Sequence, residues 1–208
     1  MITIVDYGMG NLGSVANMIK KLGGEAKITG NVNEISDAEK IILPGVGAFD
    51  GAMKRLHDQG LVDVLNRKAL DDKIPVLGIC LGMQLLTDGS DEGELAGLGW
   101  IPGRANSFKT AFDVQNITRN FLVPHMGWNS VEVKNQCVLT NDFYEEMRFY
   151  FVHSFYVKAE NEENVMLQAT HGICFDAALV KDNIFGMQFH PEKSHKYGFK
   201  VFQNFLNI

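Results

Sequence analysis

The chain has 208 residues, 46% hydrophobic and 21% charged, which is enough for one well-buried α/β domain and short for two. A net charge of -6 and a pI near 5.5 lack the basic footprint of a nucleic-acid binder. No stretch reaches the ~18 apolar residues of a membrane span, and Met1-Ile2-Thr3-Ile4-Val5 enters a strand pattern without a basic leader. A cytoplasmic chain with no membrane or nucleic-acid partner is therefore expected.

In chain order, the pattern predicts a strand over 2–5, a helix over 12–22, strands over 26–29 and 40–43, a helix over 52–70 broken near Gly60, and a strand over 75–79. Such alternation implies a parallel sheet with helices on both faces. The middle changes character, because 100–108, 129–133 and 149–157 are β-rich and joined by polar turns, so an open mixed, largely parallel sheet is expected. Strands over 165–169 and 184–189 and a terminal helix over 198–206 complete the α/β reading of a single domain, with no repeat or linker.

The pentapeptide Gly78-Ile79-Cys80-Leu81-Gly82 closes the apolar run Ile74-Pro75-Val76-Leu77 and opens the helix-like Met83-Gln84-Leu85-Leu86. A strand-turn-helix of this kind is a nucleophile elbow, with cysteine at the strained tip and glycines where a side chain would strike neighbouring backbone. The following helix directs N–H groups and its positive dipole end at the sulfur, favouring thiolate. The alternative is an inert core cysteine. Cys80, Cys137 and Cys174 are an odd number without metal-ligand spacing, so reduced thiols are expected, with no disulfide framework and no metal site.

Thiol attack needs a base, and the base needs an orienting group. Downstream, His190-Pro191-Glu192 supplies both: proline biases His190 toward extended backbone, where residues two apart share a face, so Glu192 can fix the imidazole tautomer. The sequence reading is a Cys80-His190-Glu192 triad. The glycine-rich Pro44-Gly45-Val46-Gly47-Ala48-Phe49 lacks the lysine of a phosphate-binding loop. It can instead give a backbone N–H from Val46 or Gly47 to an oxyanion, beside that of Leu81. Its glycines leave a peptide unit free to rotate, so the hole can be unformed at rest.

Gln84 falls one helical turn after Cys80, within reach of its pocket. His153, between aromatic residues, reads as a packed strand histidine or a second candidate base, and His190 is preferred because it alone carries an adjacent carboxylate. Trp128, in the apparent loop Pro124-His125-Met126-Gly127-Trp128-Asn129, is either core or an interface anchor. The segment Asp6-Tyr7-Gly8-Met9-Gly10-Asn11 has the wrong glycine spacing for a dinucleotide fingerprint. At the C-terminal end of the first strand, on the Cys80 edge, it fits partner contact.

These segments, with Phe149-Tyr150-Phe151-Val152-His153-Ser154 and Gln188-Phe189-His190-Pro191-Glu192-Lys193-Ser194, resemble the class I, triad-type glutamine amidotransferases, and among them the glutaminase subunits of imidazole glycerol phosphate synthase. The similarity covers essentially the whole chain, as one amidotransferase type 1 domain over 1–208. The resemblance implies that glutamine is hydrolysed without a cofactor. Gln84, Ser154 and the backbone near Gly47 and His153 would hold its amino-acid end. It also implies a (β/α)₈-barrel cyclase as heterodimer partner, met by Trp128 and by Tyr7, Met9 and Asn11. The cyclase would use ammonia to make imidazole glycerol phosphate and aminoimidazole carboxamide ribotide in histidine biosynthesis. Three rivals stand beside this reading: a paralogous subunit supplying ammonia to a synthetase that amidates or amidinates a cell-surface sugar, a non-catalytic regulatory module of the same fold, and a cysteine peptidase.

Overall fold

The computed structural model describes residues 1–117 and 121–208. Its elements run β1 (Ile2–Val5), α1 (Leu12–Lys21), β2 (Ala26–Thr29), α2 (Val32–Ser36), β3 (Ile41–Gly45), α3 (Phe49–Asp58), α4 (Leu61–Asn66), β4 (Val76–Cys80), α5 (Leu81–Leu85) and β5 (Gly89–Ser90). They continue β6 (Gly103–Ser107), α6 (Phe108–Val114), β7 (His125–Val133), β8 (Met147–His153), β9 (Phe155–Ala159), β10 (Val165–His171), β11 (Ile173–Lys181), β12 (Ile184–Met187) and α7 (His195–Asn207). The main sheet has the order β2-β1-β3-β4-β12-β11-β10-β7-β8, with β6 and β9 as a branch beside β11.

The sheet changes direction at β12. From β2 to β12 neighbouring strands are parallel, and from β12 to β8 they are antiparallel. Within the parallel half β1, β3, β4 and β12 are buried on both faces, to which successive residues of a strand point in turn, while the edge strand β2 is largely exposed. Ile42, Leu77 and Ile79 join a core with α1 and α7, whereas Ile41, Leu43 and Val76 join one with α3, α4 and Trp100. Each face is thus sealed by helices whose apolar residues recur at helical spacing.

Several local expectations are met for identifiable reasons. Asn11 caps α1 by accepting the Ser14 N–H at 3.4 Å, and Lys20 and Lys21 lie in its last turn, where cations oppose the negative dipole end. The helix expected over 52–70 is interrupted where Gly60 takes φ 66°, and beyond α4 it closes in a π-turn over 67–71. Trp128 is not in a loop: it lies within β7. Besides the two-residue β5, three elements are additional to the expected pattern. Asn31 starts the short α2 through its side chain, and Ser107 starts α6 in the stretch read as β-rich. The third is β11, whose fully buried Asp176 interrupts an apolar run. Asp176 is satisfied internally, by the Ala159 N–H at 2.9 Å and the Gln168 amide at 2.9 Å.

Candidate active site

At the C-terminal edge of the parallel half, β4 turns into α5 through Cys80, which adopts φ 55° and ψ -111°, a conformation strained for any residue with a side chain. A Cβ on Gly82 would lie 1.8 Å from the Leu43 carbonyl oxygen, so the elbow requires glycine there. Cys80 is 7% exposed and opens onto a cavity of about 370 Å³ that Val46, Gly47, Gln84, His153, Ser154 and His190 help to line. One expectation is weakened by the fold. α5 holds five residues, so it offers the sulfur a much shorter dipole than a full helix would.

β12 pairs in parallel with β4, Met187 opposite Ile79, and the chain beyond it delivers His190 to the same cavity. His190 backbone is extended, and its Nδ1 lies 2.8 Å from Glu192 Oε1 with both side chains almost wholly buried. Because a carboxylate only accepts, Nδ1 carries the hydrogen and Nε2 is left as the reactive nitrogen. Nε2 has no hydrogen-bond partner among the described residues. Burial by itself pushes the His190 pKa down, but the proximity of Cys80 and the bond and charge of Glu192 outweigh it and carry the pKa up to about 9. These contacts favour the protonated, imidazolium form of His190.

Beside the elbow, β3 runs parallel to β4 with Gly45 opposite Cys80, which brings Val46 and Gly47 to the cavity wall. The segment over 6–11 supports this strand from beneath. Tyr7 donates its hydroxyl hydrogen to the Pro44 carbonyl at 2.8 Å, and Met9 Cε occupies the space a side chain at Gly47 would need. Tyr7, expected at a partner surface, is instead completely buried under the loop. Burial, and then the charge of Cys80, push its phenol pKa up. Met9 is half-buried and Asn11 is exposed, although Asn11 also serves as the cap of α1. Trp128 is 39% exposed, stacked on His195 at 5.6 Å, and its same-face neighbour Met126 is 63% exposed.

His153 has no free ring nitrogen with which to act as a base. Its Nδ1–H donates to the Phe155 carbonyl at 2.7 Å, so Nε2 must accept, and it takes the Nδ1–H of His125 at 2.9 Å. His125 Nε2 in turn accepts from Asn129 Nδ2 at 3.3 Å, which leaves both rings neutral. Burial is the main cause that pushes His153 down to about 3 and His125 down to about 4, with neighbouring histidines adding to it. The candidate binding groups Gln84 and Ser154 both reach the cavity wall.

Two further residues emerge only in three dimensions. Glu92, in the turn after β5, lines the cavity, and its Oε2 accepts the Phe49 N–H at 2.8 Å, which fixes the carboxylate at the start of α3. Gln188 is wholly buried against Cys80. A signal for Gln188 existed, because it lies two residues before His190 in an extended segment, but only the fold shows which neighbour it meets.

Comparison with known proteins agrees with this geometry. The family model of the class-I glutamine amidotransferases matches residues 3–208. Imidazole glycerol phosphate synthase subunit HisH 2 of Methanococcus maripaludis is 50% identical over 99% of this chain and 98% of that protein. The protein of the same name from Pseudomonas aeruginosa is 45% identical over 100% of both. Among solved structures, one described as a glutamine amidotransferase superposes with a TM-score of 0.74 at 16% identity over 100% of both chains. PurLQS from Thermotoga maritima superposes with a TM-score of 0.74 at 24% identity, over 99% of this chain and 97% of that one, which speaks to the fold alone. The elbow, the buried imidazole–carboxylate pair and the full-length match agree: this chain belongs to the class-I glutamine amidotransferases.

Proposed function

We propose that the chain, as one amidotransferase domain over 1–208, is the glutaminase subunit of a cytoplasmic imidazole glycerol phosphate synthase. The observation that carries the chemistry is Cys80 at a strained elbow sharing one cavity with a His190 held by Glu192. The name shared by the full-length relatives supports the pathway. In this reading Cys80 thiolate attacks the side-chain amide carbon of glutamine. The oxyanion takes N–H bonds from Leu81 and from the Val46–Gly47 loop. His190 gives its proton to the departing nitrogen, so ammonia leaves and a thioester remains. Water then attacks the thioester while His190 takes its proton, releasing glutamate and restoring Cys80.

Substrate recognition follows from charge. Glu92 offers a fixed carboxylate to the glutamine ammonium, and Gln84, Ser154 and the backbone at Gly47 and His153 complete the amino-acid end. Ammonia released into neutral water is mostly protonated and no longer a nucleophile, so it must pass through shelter to a second active site. The partner in this proposal is a (β/α)₈-barrel cyclase, forming a heterodimer across Met9, Asn11, Met126 and Trp128. The cyclase adds the ammonia to a phosphoribosylated imidazole-carboxamide intermediate, yielding imidazole glycerol phosphate and aminoimidazole carboxamide ribotide for the histidine route. The rival acceptor is the precursor of a cell-surface sugar. The neighbouring genes distinguish the two.

The test is Cys80→Ser. The variant should lose glutamine hydrolysis yet support synthesis from added ammonium salt when mixed with the cyclase. Glutamate release at the parental rate would remove Cys80 as nucleophile.

A further inference from the structure

Outside the triad, one buried amide reaches the sulfur. Gln188, 0% exposed, places Nε2 3.7 Å from Cys80 Sγ. An amide has an acceptor end and a donor end of nearly the same shape, and here the surroundings decide between them. The Phe155 carbonyl can only accept, so the Gln84 atom 3.4 Å from it must be Nε2. That same Nε2 lies 3.1 Å from the Gln188 amide, which must present Oε1 to it. The Gln188 amino group is then turned toward Cys80. The Phe155 carbonyl is itself held by His153 Nδ1–H at 2.7 Å, so the orientation is set from the protein interior.

A second contact of the sulfur has the opposite preference. Val152 carbonyl oxygen, 4.0 Å away, suits an S–H donor and repels an anion. Loss of the thiol proton therefore trades the Val152 contact for the Gln188 one. The short α5 supplies little dipole support, so a directed N–H has correspondingly more to do.

We infer that Gln188 is a further catalytic residue, donating a side-chain hydrogen bond to the Cys80 thiolate before attack and again as the thiolate departs from the thioester. Gln84 is the positioning residue that sets its direction. This rests on Cys80 being the nucleophile.

The experiment measures alkylation of Cys80 by iodoacetamide against pH, following the Cys80 peptide by mass spectrometry so that Cys137 and Cys174 are excluded. In Gln188→Met, which keeps length and loses the donor, the midpoint should move up by about one pH unit, the scale of one hydrogen bond to an ion. At pH values well below the parental midpoint the rate should fall about tenfold while the alkaline plateau is kept. Gln188→Glu, with an acceptor in place of the donor, should move the midpoint further. Midpoints equal to that of the parent in folded variants would overturn the assignment. In the unmutated protein the Gln188 side-chain amide resonance should titrate with the alkylation midpoint, and a resonance that stays fixed would overturn it too. Neither result bears on the identity of the nucleophile, which Cys80→Ser tests separately.

Discussion

Replacing Gly82 with alanine should damage catalysis far more than a single methyl group suggests. The new Cβ would stand 1.8 Å from the Leu43 oxygen and 2.9 Å from its carbonyl carbon. Leu43 cannot yield, because it is fully buried in β3, which is paired with β1 on one side and β4 on the other. The first turn of α5 must move instead, by about 1.2 Å to reach the 3.0 Å that real contacts tolerate. That turn carries the Leu81 N–H and follows directly on Cys80. A misplacement of about 1 Å costs on the order of 10²-fold in rate, or about 2.7 kcal/mol at the transition state. The strain should also lower folding stability by about 1–3 kcal/mol. Glutamine turnover with the cyclase present and urea unfolding measure the two effects. Gly51→Ala is the control: its Cβ meets nothing within 4 Å in α3, and a gain of up to about 1 kcal/mol with parental turnover is expected. Parental turnover and stability in Gly82→Ala would refute the close-approach argument.

His190→Ala should lose about 10²–10⁴-fold in turnover, whereas Glu192→Gln should lose less, because the base remains and only its tautomer control and charge are weakened. In Glu192→Gln the upper limb of the pH–rate profile should also move down from about 9, since a contact that raises the imidazole pKa has lost its charge. An unaffected His190→Ala would remove the base assignment. Acid should destabilise the fold through the inner histidine pair. An unfolded chain binds protons at His125 and His153 near pH 6.5, but the native state resists until about 4 and about 3, so the unfolded state binds more protons between these values. Their contribution is complete above pH 6.5 and is lost as pH falls toward 4. The raised His190 acts in the opposite sense only above pH 6.5. Urea unfolding at pH 7 and pH 5 checks this, and equal stability at both would contradict the neutral pair.

The amino-acid order alone carried the α/β alternation, the elbow at Cys80 and the pairing of His190 with Glu192. These are local: hydrophobic period, glycine beside a strained cysteine, and two residues sharing a face across a proline depend on near neighbours in the chain. β11 was illegible because Asp176 looks like a strand breaker until the Ala159 N–H and the Gln168 amide are seen to satisfy it. Tyr7 lies elsewhere than expected for a related reason, since its segment's place at the end of the first strand suggests partner contact while its hydrogen-bond partner, Pro44, is distant in sequence. Only the tertiary structure decided that His153 is a neutral link rather than a base, that Glu92 faces the cavity, and that Gln188 points a donor at the sulfur. Hydrogen bonds between groups 28 or 108 positions apart leave no periodic trace in the chain, because their geometry exists only once the sheet is assembled.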